Sequence, residues 1–215
     1  MAKITYDSDT GQVEVLLSSL DMGTAAQVAK ERHATQRQAG RFDWKASPDA
    51  DGALNDYQGL LGEIAVKYAF GYEPKDHVAV LPITEWLKTR EGLTDVAGME
   101  VRAVARRPGD RRGTSLIVKH DKDAGKLDVP FILVRLTETD AIGQYAHTVR
   151  LVGWTYGKNA FKKNEVGNYL YWREEGVDRP NFFVPEGKLS PMSSLYASRG
   201  IPLPRDKFSD LHFGV

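Results

Sequence analysis

The sequence predicts an α+β fold, with a mixed central β-sheet and a buried helix against one of its faces. Three observations carry this reading. Residues 55–71, "NDYQGLLGEIAVKYAFG", form a helical pattern that is apolar on most sides. A series of short alternating or apolar strand patterns follows it. No internal repeat or low-complexity run divides the 215 residues, a length that suits one domain with appended elements. We place that domain at 1–190, with its core at about 55–160, and read 191–215 as a tail that packs on the body or on a partner.

The elements follow in chain order. "KITYD" and "QVEVLL" flank "SDTG" and read as a hairpin. Residues 24–38, "TAAQVAKERHATQRQ", hold good helix formers after a threonine, and Gly40 can close the helix. "FDWKASPDADGALND" is a long acidic loop. In the central helix Asn55 or Asp56 can cap the start, and Gly71 stands where a C-terminal glycine belongs. Gly59 and Gly62 would let another element approach closely.

"HVAVLP" is a strand candidate and "ITEWLKTREG" a short helix or turn. "MEVRAVAR" alternates, with Met99, Val101 and Ala103 on one face and Glu100 and Arg102 on the other. With "TSLIVKHD" it reads as a hairpin over 99–120, joined by the basic loop "RPGDRRG". "VPFILVRLTE" and "HTVRLVGWTYG" are further strands, and "RPNFFVPEGKLSPMSSL" gives a short strand and a turn. Phe208, Leu211 and Phe213 in the final stretch are candidates to pack back onto the body.

Composition excludes several classes. There is no cysteine, so disulfides and thiolate-bound zinc or iron–sulfur clusters are ruled out. No apolar run approaches a membrane span, and "MAKITYDSDTGQ" has no apolar signal-peptide core. A cytoplasmic protein with no membrane partner is expected. Lys and Arg (29) balance Asp and Glu (29), which argues against polyanion binding through overall charge. A local basic patch remains: Arg102, Arg106, Arg107, Arg111 and Arg112, followed by Lys119, His120, Lys122 and Lys126. It reads either as a phosphate-contacting surface or as a solvated hairpin tip.

Glu63 is the odd member of the central helix, lying beside Gly59, Leu60, Val66 and Phe70. An ionised carboxylate in such a stripe is costly unless paired or metal-bound. A salt bridge to Lys67, at helical i,i+4 spacing, is the simplest explanation. Asp95, before the turn "VAG", can fold back beside Glu100. If the helix packs on that strand face, Glu63, Asp95 and Glu100 converge. Oxygen ligands of this kind suit magnesium or manganese, and the Val101 carbonyl can add another. The histidines have no zinc-ligand spacing. "NYLYWRE" and Trp154 read as base-stacking aromatics or as a satellite core.

The segments "GLLGEIAVKYAFG", "TDVAG" and "MEVRAV" together resemble the PD-(D/E)XK nuclease superfamily. "FILVRL", "TVRLVGWTYG" and "FFVPEGKL" are similar to stretches of its uncharacterised phage and prophage members. The resemblance covers roughly residues 25–190. It implies a restriction-endonuclease-like core and a magnesium- or manganese-dependent nuclease acting on DNA. The sequence does not separate DNA from RNA as the substrate, or a free chain from a homodimer or larger complex. Glu63, Asp95, Glu100 and the Val101 carbonyl would bind the ion. The family lysine falls at Arg102, and there the chain departs from the pattern. Arginine can clamp a phosphate but does not act as a general base. The four-residue gap between Asp95 and Glu100 is also shorter than the family's.

In the expected hairpin, Lys119 or His120 faces the acids, depending on register, and either can replace the lysine. Arg106, Arg107, Arg111 and Arg112 would hold the nucleic-acid backbone. Two rival readings remain. One is a catalytically weak or inactive binding module of the same fold, in phage–host conflict. The other is an unrelated α+β protein with surface ion pairs.

Overall fold

The computed structural model describes residues 2–38, 51–72, 94–105, 115–119, 123, 125–136, 148–168, 170–173 and 181–205. The predicted elements "HVAVLP" and "ITEWLKTREG", and Phe208, Leu211 and Phe213, lie outside these residues. The chain is α+β with a mixed central sheet.

β1 (Lys3–Asp7) and β2 (Gln12–Leu16) form the expected hairpin. Asp7 Oδ1 holds its turn by accepting the Asp9 and Thr10 N–H groups at 3.1 and 3.2 Å. Helix α1 (Ser19–Gln38) starts earlier than predicted. Ser18 and Asp21 cap it reciprocally: the Ser18 N–H donates to Asp21 Oδ2 at 2.9 Å, and the Asp21 N–H to Ser18 Oγ at 3.2 Å. Helix α2 (Asp51–Ala69) also begins before the predicted cap. Its end follows the glycine signal. Gly71 has φ +76°, its N–H reaches the Tyr68 carbonyl at 3.1 Å, and the Tyr72 N–H reaches Lys67 at 2.9 Å.

β3 (Glu100–Ala105), β5 (Pro130–Leu136) and β6 (Thr148–Tyr156) complete a five-stranded sheet of order β1-β2-β6-β5-β3. β3 is an edge strand running parallel to β5, and the other pairs are antiparallel. β4 (Ser115–Lys119), β7 (Trp172–Arg173) and β8 (Asn181–Pro185) form a separate sheet of order β4-β8-β7. The expected 99–120 hairpin is therefore corrected. β3 and β4 pair with partners distant in sequence and sit in different sheets.

The two faces of the central sheet are both covered. On one face Val15, Ile132, Val134 and Leu151 pack with α1 and α2. Helix α4 (Met192–Ser198) adds Met192, Leu195 and Tyr196 to this core, so the start of the 191–215 tail packs on the body. Trp154 belongs here too, with its Nε1–H on Ser194 Oγ at 2.9 Å, which makes it a core residue and not a stacking platform. On the other face Phe131, Leu133 and Val152 meet Leu116, Val118, Phe182 and Val184 of the small sheet, with Tyr171 packed at their side. The short helix α3 (Gly157–Ala160) closes this second core through Ala160.

Gly62 is the close-approach glycine of α2. A Cβ there would lie 3.0 Å from Ala103 Cβ and 3.3 Å from Val101 Cγ1. Gly59, the other candidate, has nothing within 4 Å. The Gly62 contact fixes α2 on the Val101/Ala103 face of β3. Among the described residues no helix is long and apolar enough to cross a membrane.

Candidate functional site

The site is built at the start of edge strand β3 by a tight turn. Val96 and Met99 exchange both backbone hydrogen bonds, at 3.0 and 2.7 Å, around Ala97 and Gly98. Both central residues have positive φ, +44° and +79°. Such a turn reverses the chain sharply enough to fold Asp95 back along β3, as its sequence suggested. Asp95 Oδ2 accepts the Val101 N–H at 2.9 Å. The Thr94 hydroxyl oxygen accepts the Gly98 N–H at 2.9 Å, and Arg199, just past α4, donates from Nη1 to the Ala97 carbonyl at 3.0 Å. Ala97 pays a conformational cost that glycine avoids. Ala97→Gly is expected to stabilise the protein by on the order of 1 kcal/mol, measured by urea unfolding.

Arg102 is the centre of the cluster. Its Nη1 lies 2.9 Å from Glu100 Oε2, 3.4 Å from Asp95 Oδ2 and 3.2 Å from the Val101 carbonyl oxygen. Its Nη2 donates to Asp123 Oδ1 at 2.8 Å. The guanidinium lies over the Phe131 ring, with Cζ 5.1 Å from the centroid. Glu100 is buried, and its other oxygen, Oε1, accepts from Lys126 Nζ. Asp123 is also buried, and its Oδ2 accepts the Lys119 N–H at 2.7 Å.

The cluster therefore sets three carboxylates against two cations, with Glu100 and Asp123 buried and Asp95, Arg102 and Lys126 partly exposed. Burial raises the Glu100 pKa, and Asp95 raises it further, against the opposing pull of Arg102 and Lys126. Burial pulls the Arg102 pKa down, but Asp123, Asp95 and Glu100 outweigh it, and the net direction is up.

The Glu100 shift has a stability consequence. Folded Glu100 holds its proton more tightly than unfolded Glu100, whose ordinary value is 4.5. Its contribution is fully present below pH 4.5 and is lost as pH rises through the folded pKa. In EDTA, the wild type is expected to lose this share of stability over that rise, and Glu100→Gln is not. Urea unfolding of both proteins across the weakly acidic range measures the difference.

The structure divides the residues singled out from sequence. Asp95, Glu100, Arg102 and the Val101 carbonyl meet at one point. Glu63 does not join them. β3 alternates its faces, Glu100 and Arg102 share the Phe131 side, and α2 packs on the opposite, Val101/Ala103 side. Glu63 lies 3.9 Å from Arg32 of α1. Lys119 ends β4 beside the cluster. Its side chain is exposed, and its main-chain N–H donates to Asp123 Oδ2 at 2.7 Å. His120, Arg106, Arg107, Arg111 and Arg112 lie outside the described residues.

Asp123 and Lys126 were missed as site residues. Both stand in "HDKDAGK", where the lysine counted only towards a basic segment. No local spacing connects them to β3, because both lie in the connection between β4 and β5, more than twenty residues on, and meet β3 only through the fold.

Among the described residues, no three Asp, Glu or His side chains are spaced to hold a metal ion. Two carboxylate oxygens and one carbonyl oxygen do surround Arg102 Nη1, and a hard divalent cation takes such a donor set with water completing its shell. Oxygen donors are the kind that magnesium and manganese take, and in this structure they are held by Arg102 and Lys126. No family model matches the chain, and no curated protein or solved structure matches it either.

Proposed function

We propose that the chain is a metal-dependent nuclease that hydrolyses DNA phosphodiester bonds on a restriction-endonuclease-like core. The observation that supports it is the meeting of Asp95 Oδ2, Glu100 Oε2 and the Val101 carbonyl at one cationic nitrogen, with a lysine on the second oxygen of Glu100. Asp95 and Glu100 would hold magnesium or manganese, with the Val101 carbonyl as a neutral ligand. A bound ion supplies a water of lowered pKa and stabilises charge on the phosphate.

The protein's own groups do the rest. Lys126 fixes the orientation of Glu100 and provides, from another part of the chain, the lysine that position 102 lacks. Arg102 clamps phosphate oxygens and stabilises the charge that develops on them. Arg106, Arg107, Arg111 and Arg112, which follow β3 directly, are assigned to the DNA backbone. Glu63, the third ligand that the resemblance implies, belongs to the helix on the opposite sheet face, and that placement counts against the reading.

Cleavage of supercoiled, linear and single-stranded DNA, and of RNA, in magnesium, manganese or EDTA tests the reading. Ion-dependent cleavage of at least one DNA form is expected. Equal cleavage in EDTA, or none of any substrate, contradicts it. One observation favours a second reading, a nucleic-acid-binding module without catalysis: Arg102 itself sits among the oxygens a cation would use. That module retains DNA affinity in EDTA and cleaves nothing.

A further inference from the structure

We infer that Arg102 and the divalent cation compete for the same three oxygens, so that ion binding displaces Arg102 and sets a binding order of ion first and phosphate second. The inference rests on the nuclease reading above and adds a regulatory step to it. Arg102 Nη1 stands 2.9 Å from Glu100 Oε2, 3.2 Å from the Val101 carbonyl and 3.4 Å from Asp95 Oδ2. A cation bound by these oxygens and the guanidinium nitrogen cannot share that position.

The arginine has a pivot for its exit. Nη2 is bound separately, to Asp123 Oδ1 at 2.8 Å, and Asp123 is anchored in turn by the Lys119 N–H. Nη1 can withdraw while Nη2 stays. Arg102 Nε is buried and has no acceptor among the described residues, so the present pose leaves one donor unused. A phosphate oxygen would satisfy it.

Charge gives the order. Among the described residues of the cluster, Asp95, Glu100 and Asp123 outnumber Arg102 and Lys126 by one, a surplus that disfavours phosphate at the three oxygens until an ion is bound. A divalent cation reverses that surplus to one positive charge. The same event frees Arg102 Nη1 from Glu100 and Asp95. Phosphate binding is thereby coupled to ion occupancy, and the free protein keeps its site closed by its own side chain.

The test is magnesium binding, measured by calorimetry, to the wild type and to Arg102→Gln. Removing the competitor removes the cost of displacing it, and Arg102→Gln is expected to bind magnesium about tenfold more tightly or better. In the wild type, the Arg102 Nε–H resonance, identified by its absence from Arg102→Gln or a second variant, Arg102→Lys, is expected to shift as magnesium saturates. Equal or weaker binding by folded Arg102→Gln overturns the competition and leaves the nuclease reading standing. Absence of binding by both proteins overturns both. If Arg102→Gln does not fold, the wild-type resonance decides: a signal unmoved at saturating magnesium overturns the inference.

Discussion

Glu100→Gln is expected to lower ion-dependent cleavage by at least about 100-fold while folding no less stably than the wild type in EDTA. The two halves of this expectation come from one fact. Glu100 is buried beside Asp95, and its pKa is raised despite Arg102 and Lys126. A raised carboxylate pKa means that the ionised group is a net burden on the folded state at neutral pH. Glutamine keeps the volume and one of the two accepting oxygens, removes the buried charge, and leaves Arg102 paired with Asp95 and Asp123. It also removes the charge an ion needs. A purely structural ion pair behaves in the opposite way, since breaking it destabilises the protein. Cleavage rates and urea unfolding of the same two proteins separate the cases.

Gly157→Ala is expected to cost about 3 kcal/mol of stability and to weaken cleavage together with it. Gly157 opens α3 directly beneath the 126–129 turn, donating its N–H to the Val129 carbonyl at 3.1 Å, while Lys158 donates to Leu127 at 2.8 Å. A Cβ at 157 would overlap the Lys126 carbonyl oxygen and stand 2.9 Å from Phe131 Cε2. Both neighbours belong to the cluster: Lys126 holds Glu100, and Phe131 lies under Arg102. Backbone cannot yield as a flexible side chain does. The strain therefore moves the lysine away from Glu100 as it loosens the fold. Thermal unfolding, with a fall in Tm of roughly 6–12 °C for a chain of this size, measures the first effect. An unchanged Tm would show that the 126–129 turn moves freely and that this packing does not position Lys126.

What the sequence revealed was mostly local. Helix α2 and its end at Gly71 were legible because apolar periodicity and a C-terminal glycine act within a few residues. The early start of α1 was written in "SSLD" but lies outside its helix-forming run. The strands at β5, β6 and β8 were legible from their residues, but the partner of β3 was not. Nearness in sequence suggested a hairpin with β4, and the fold instead pairs β3 in parallel with β5. Parallel pairing leaves no turn in the sequence to announce it.

The site divides along the same line. Asp95, Glu100 and Arg102 were legible together because a turn and a two-residue period join them. Glu63 was assigned to them on the premise that α2 covers the Glu100 face. A sheet has two faces, and the helix took the other, where Gly62 meets Val101 and Ala103. Asp123 and Lys126 close the cluster from a segment that shares no period or turn with β3.

The measurement that tests the central claim most directly is a manganese titration of the wild type and Glu100→Gln, with ion binding read by electron paramagnetic resonance and cleavage of one DNA substrate followed in the same samples. The expected result is manganese binding by the wild type, cleavage that rises with occupancy, and the loss of both in Glu100→Gln. Cleavage that persists in Glu100→Gln, or that proceeds in the wild type without bound ion, would contradict the assignment of Asp95 and Glu100 as the ligands of a catalytic cation.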